Sequence, residues 1–236
     1  SPDQQPISPG IYLESFEAQH ALRGDVLGIV DYPLATLGEV LATPQDWCDL
    51  LILHLNVKYC RPESGNNRPV LSVAVGKKTY QSLESSYRLA FQADYKASNA
   101  EYLRIELTAP RGPIGTTHYR IVVEAVALSS ERSLLHLEYS YEYGFWARVA
   151  ASLYLGGAGS DKVGFTRQGL QGDAAGKYVG GLRGVVERNV MRYFLALDAC
   201  LETLQMPQPT RFEQRIQRWF EATERYARQL HEVDRD

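Results

Sequence analysis

Between residues 69 and 144, apolar and polar residues alternate with period two through five successive runs: "PVLSVAVGKKTY" (69–80), "SSYRLAFQADYKA" (85–97), "EYLRIELTA" (101–109), "TTHYRIVVEAVAL" (116–128) and "SLLHLEYSYEYG" (133–144). Such alternation predicts half-buried antiparallel strands. One face carries Tyr87, Leu89, Phe91, Tyr95, Leu103, Ile105, Leu107, Tyr119, Ile121, Val123, Leu135, Leu137, Tyr139, Tyr141 and Tyr143. The other carries Arg88, Asp94, Arg104, Glu106, Arg120, Glu124, Glu138 and Glu142. The sheet therefore has one wet side and one that covers something.

An earlier strand, "LRGDVLGIVDY" (22–32), is stopped by Pro33, and two short helical patterns follow, the second capped by Thr43 with Pro44 at its first position. After Tyr143 the spacing becomes helical in "FWARVAASLYLGG", and a glycine-rich loop leads to a last short strand at 161–169. One long amphipathic helix is predicted from Tyr178 to Gln205, its stripe including Val186, Val190, Phe194, Leu197 and Cys200. "PQP" ends it, and Phe212, Ile216, Trp219, Phe220, Tyr226 and Leu230 define a final amphipathic helix.

With 236 residues, 44% of them hydrophobic, the chain can bury a sizeable core. Its 25 basic and 28 acidic residues are dispersed, which speaks against a nucleic-acid footprint. No segment reaches the ~20 apolar residues of a membrane span. The first ten residues are polar and proline-rich without an apolar stretch, so no signal peptide is expected within this chain.

The order of strand, two helices, antiparallel strands and long helix is an α+β arrangement: a curved antiparallel sheet of about six to seven strands gripping a C-terminal helix. It resembles the helix-grip fold of the START-like (SRPBCC) superfamily. The resemblance covers 20–206, leaving a tail at 1–19 and an additional helix at 207–236. It implies a hydrophobic small-molecule partner, lipid or lipid-like, held between sheet and helix without a cofactor. Carried over, the lining is Tyr87, Phe91, Tyr119, Ile121, Tyr139, Tyr141 and Phe165 with Val186, Val190 and Phe194. The alternative is that these tyrosines fill the core and bond to backbone carbonyls. The segment after Tyr143 is a candidate lid, with Phe145, Trp146 and Leu153 meeting ligand or membrane; the alternative is a packed helix with a glycine cap.

Catalytic and metal motifs fail on inspection. "GLQGDAAGKY" has Gln171 where a phosphate loop needs glycine and Tyr178 where it needs Ser or Thr. His118 and His136 stand far apart along one hairpin, roughly 26 Å at strand rise, so they share no metal. Glu106, Glu124, Glu138 and Glu142 lie on the wet face beside arginines, as cross-strand ion pairs should. A cyclase- or hydratase-type enzyme on this fold would need an inward acid or base, and His54 is the nearest candidate. Arg211, Arg215, Arg218 and Arg225 on the final helix could suit transient contact with an anionic membrane surface, but intrahelical pairing with Glu221 and Glu224 favours a solvated face. A third reading is a protein-interaction module using the lid or last helix.

Three cysteines remain. A continuous helix through "WCDLLILHLNVKYC" would hold Cys48 and Cys60 roughly 18 Å apart. If the helix stops near Asn56 and "VKYC" runs back extended, the two can meet. The expectation is a Cys48–Cys60 disulfide, a buried free Cys200 and an exported, periplasmic protein.

Overall fold

The structure, a computed structural model, describes residues 7–64, 68–144, 162–168 and 176–232. Eight strands form one antiparallel sheet in the order β1-β2-β8-β7-β6-β5-β4-β3. These are β1 (Ile11–Ala18), β2 (Ala21–Val30), β3 (Val57–Glu63), β4 (Val70–Val75), β5 (Tyr87–Ser98), β6 (Tyr102–Arg111), β7 (Thr116–Ala127) and β8 (Ser133–Tyr143). Helices α1 (Leu34–Val40) and α2 (Pro44–Leu51) precede β3, and α3 (Gly181–Glu202), α4 (Gln208–Glu224) and α5 (Ala227–Leu230) end the chain. The sheet curves around α3, a helix grip.

Two features differ from the sequence expectation. Residues 11–18, expected in an N-terminal tail, form the eighth strand, an edge strand whose Leu13 and Ser15 are buried. The strand expected at 161–169 is reduced to β9 (Arg167–Gln168), paired with β10 (Lys177–Tyr178) in a hairpin of two residues each.

Period-two burial holds through β6 and most of β8, with Leu103, Ile105, Leu107, Leu135, Leu137, Tyr139, Tyr141 and Tyr143 all buried. The helix approaches the sheet over β2, where two inward positions are glycine. A Cβ on Gly24 would come within 3.0 Å of Val190 Cγ1, and one on Gly28 within 2.7 Å of Phe194 Cζ. Side chains there would push α3 off the sheet.

On the opposite face the charges close into a ring. Arg120 bridges Glu106 (2.6 Å) and Glu138 (2.5 Å), and Arg23 bridges Glu138 (3.5 Å) and Asp25 (2.7 Å). His136 bridges Asp25 (2.8 Å) and Glu124 (3.1 Å), while Arg104 joins Glu124 to Glu106. Both imidazole nitrogens thus face carboxylates, an arrangement that favours the doubly protonated, cationic ring. The hydrogen bond to Asp25 leads in raising its pKa above 6.5 against burial. Of the four carboxylates named in the sequence reading, three sit in this ring, and Glu142 lies 3.0 Å from His118 Nδ1.

Helix α4 covers the back of α3, with Trp219 Nε1 donating to the Arg192 carbonyl at 3.3 Å. That second cover changes the reading of the final helix. Arg215, expected on a solvated face, is 5% exposed and pairs with Asp49 at 3.0 Å while reaching Thr203 Oγ1. Trp219 is likewise buried, whereas Phe220 is half-buried.

The chain does bend between the two cysteines. Thr43 and Asp46 form a capping box at the start of α2, which ends at Leu51, earlier than Asn56. Turns follow, in which His54 N–H donates to the Leu51 carbonyl and Val57 N–H to that of His54, and the Asn56 amide donates to the Gly76 carbonyl. Cys48 and Cys60 then lie 5.2 Å apart between Cα atoms and are disulfide-bonded, while Cys200 is a buried free thiol. No described helix is long and apolar enough to cross a membrane.

Candidate ligand site

Five aromatic rings form a continuous row between sheet and helix. Tyr119 stacks on Tyr141 at 5.2 Å, Tyr139 lies 5.6 Å from Tyr141 and 5.4 Å from Tyr193, and Tyr193 stacks on His54 at 4.7 Å. The sheet supplies Tyr119, Tyr139 and Tyr141 through strand parity; α3 supplies Tyr193, and the turn after α2 supplies His54.

The polar atoms of this row decide what it can do. Tyr119 shares a hydrogen bond with Thr116 Oγ1 at 2.9 Å. Among the described residues no hydrogen bond joins the hydroxyls of Tyr139, Tyr141 or Tyr193 to protein; the side chains are largely buried, but of the row's polar atoms only His54 Nε2 is both fully buried and unpartnered. Burial raises the pKa of each of these tyrosines, so all stay neutral donors at any ordinary pH. Asn56 N–H donates to His54 Nδ1 at 3.3 Å, which leaves the ring proton on Nε2. That atom is buried with no partner at hydrogen-bond geometry among the described residues, though the Asn189 side chain lies near enough to influence the ring. Burial first, then Arg192 and Lys78, push His54 down to about 3. A neutral imidazole so poised donates a hydrogen bond well and accepts a proton poorly.

The residues named from the sequence divide into groups. Tyr119, Tyr139 and Tyr141 are brought together in the row. Ile121, Val186, Val190 and Phe194 are buried apolar packing, the last two directly over Gly24 and Gly28. Phe91 is buried on β5, whereas Tyr87, at the start of that strand, is 39% exposed. Phe165 meets Tyr226 edge-on at 5.6 Å. Phe145, Trp146 and Leu153 lie outside the described residues.

Phe165 is positioned by a group the sequence reading missed. Glu187, fully buried on α3, accepts from Phe165 N–H (2.6 Å), Thr166 N–H (2.9 Å), Thr166 Oγ1 (2.6 Å) and Ser15 Oγ (2.5 Å). One carboxylate thereby ties helix, edge strand and the segment before β9 together. A charged residue within an amphipathic helix gives no sequence signal of such burial.

By its own geometry, a curved antiparallel sheet wrapped on a long helix, the protein has a helix-grip α+β fold. No protein-family model matches the sequence, and no curated protein matches it. Similar solved structures include a START superfamily protein from Mycobacterium smegmatis, 18% identical over 54% of this chain and 79% of that one, with a TM-score of 0.39. The Zhui aromatase/cyclase from a Streptomyces species is 16% identical over 91% of this chain and all of its own, TM-score 0.39. Norcoclaurine synthase from Thalictrum flavum is 10% identical over 61% and 91%, TM-score 0.41. These likenesses carry nothing about ligand or activity.

Proposed function

We propose that the protein binds a hydrophobic small molecule, lipid or lipid-like, along the aromatic row, with a polar acceptor on the ligand facing the row's donors. The carrying observation is the row of largely buried tyrosines whose hydroxyls make no protein hydrogen bond among the described residues, ended by His54 Nε2, a fully buried donor without a partner at hydrogen-bond geometry. Leaving a buried donor such as His54 Nε2 unpaired costs about 1–3 kcal/mol, and a ligand carbonyl or hydroxyl supplies an acceptor. The alternative of packed tyrosines bonded to backbone carbonyls finds no such bonds at Tyr139, Tyr141 or Tyr193. A cyclase or hydratase would call for a shifted ionisable group, and His54 is one, but its downward shift makes it a weak base. Binding rather than catalysis is the better supported activity.

The Cys48–Cys60 bond supports work in an oxidising compartment, and we place the protein outside the cytoplasm, in a periplasm. Native mass spectrometry with long-chain fatty acids, alcohols and sterols tests the binding reading. One ligand per chain, with affinity falling about tenfold in Tyr139→Phe for a lost hydrogen bond of ~1.4 kcal/mol, is expected. Failure of every amphiphile to bind would overturn it.

A further inference from the structure

Three cations from separate parts of the chain converge on one carboxylate close to its end. Lys78, in the loop after β4, reaches Glu232 at 2.5 Å; Arg192, midway along α3, at 2.7 Å; and Lys162, ahead of β9, at 3.4 Å. The Arg192 side chain is 1% exposed and that of Glu232 9%. Arg192 also donates to the Leu230 carbonyl at 3.4 Å, and Lys162 to that of His231 at 2.7 Å. Arg188, one turn before Arg192, is buried beside it and donates to the Val163 carbonyl at 3.1 Å. Burial, then the charge of Arg192, lowers Lys78 to about 8. Burial opposes ionisation of Glu232, but Lys78 and Arg192 hold its carboxyl below the usual range.

This cluster adjoins the aromatic row. Tyr193, which stacks on His54, follows Arg192 in the helix, and Arg192 and Lys78 are the two charges acting most strongly on the His54 ring. Cations gathered in so dry a place require an anion. Here the anion is Glu232, on the segment that follows a four-residue helix.

We propose that Lys78, Lys162 and Arg192 form the head-group site for an anionic ligand, carboxylate or phosphate, and that Glu232 occupies it as an intramolecular competitor when no ligand is bound. The inference rests on the reading of the aromatic row as the site for the ligand's apolar body. It narrows the ligand class to anionic amphiphiles and makes the C-terminal segment a regulator of affinity.

The test compares dodecanoate, dodecyl phosphate, dodecanol and inorganic phosphate on the full chain and on Glu232→Gln by isothermal calorimetry. Glu232→Gln should bind dodecanoate and dodecyl phosphate at least tenfold more tightly than the native chain, with dodecanol unchanged. Lys78→Met, which retains Glu232, should weaken both anionic chains several-fold and again leave dodecanol unchanged, giving a readout should Glu232→Gln fail to fold. Equal effects on charged and neutral chains, or no gain in Glu232→Gln, would overturn the head-group site while leaving the aromatic-row reading intact. Uptake of inorganic phosphate by Glu232→Gln without binding of any chain would uphold an anion site for a free anion and overturn both its lipid assignment and the aromatic-row reading.

Discussion

The Phe194 ring rests directly on the backbone of Gly28, so near that a Cβ there would stand 2.7 Å from Cζ. The glycine fixes how closely α3 seats on β2. Gly28→Ala should therefore destabilise the protein by about 1–3 kcal/mol, the usual cost of overpacking. Urea unfolding checks it, and Gly28→Ala/Phe194→Leu should recover part of the loss.

Glu187 satisfies four donors from two other segments at once. Removing it leaves buried N–H and O–H groups unpaired, each costing about 1–3 kcal/mol. Glu187→Ala should lose at least about 3 kcal/mol, and hydrogen exchange should show the Phe165 and Thr166 amides losing protection. Unchanged protection at those two amides would refute the role.

His136 and His54 make stability depend on pH with opposite signs. The folded pKa of His136 is raised by Asp25 and Glu124, so its stabilisation is complete below the unfolded value near 6.5 and is lost as pH rises through the folded value. His54, lowered to about 3, contributes stability that is complete above 6.5 and is lost progressively as pH falls toward 3. Asp25 and Glu124, both held below their usual values by His136 and their arginines against the opposing effect of burial, also lose their contribution in acid. His136→Gln should flatten the decline seen above pH 6.5 and leave the acid limb steep. Denaturant midpoints from pH 4 to 9 measure this.

The disulfide closes a loop across a sequence separation of 12. Cys48→Ser/Cys60→Ser should cost about 3 kcal/mol. Under non-reducing denaturation the native chain should label at Cys200 alone, and at all three cysteines after reduction; labelling of three thiols without reductant would show the bond absent.

Strand parity carried the central sheet and three of the four tyrosines in the row, because a half-buried strand writes its two faces into alternate positions. Strand β1 was not legible: in "IYLESFEA" Tyr12 and Phe16 point outward and are exposed, so apolar residues fall on both faces and the alternation is blurred. Arg215 is expected on a solvated face, and no local pattern marks Arg188, Arg192 or Glu187 as buried, because an amphipathic helix ordinarily has one dry side. Here α4 and the C-terminal segment dry the other side of α3, and their charges are buried in pairs and hydrogen bonds. Tyr193 lay in the predicted stripe, but its partnership with His54 depends on a turn geometry no local pattern encodes. The bend that brings Cys48 to Cys60 was legible, since reach alone permits it, although the helix ends earlier than Asn56.

His54 lies inside the Cys48–Cys60 loop. The residue that closes the polar end of the aromatic row is thus carried on a covalently cinched arch between α2 and β3, and the stiffness of the arch follows the redox state of its surroundings. The disulfide limits the arch's freedom and so favours the stacking of His54 on Tyr193; on the proposed binding reading, reduction would add the cost of ordering the arch to binding. On that reading, the affinity for a ligand would then depend on the redox state of the compartment.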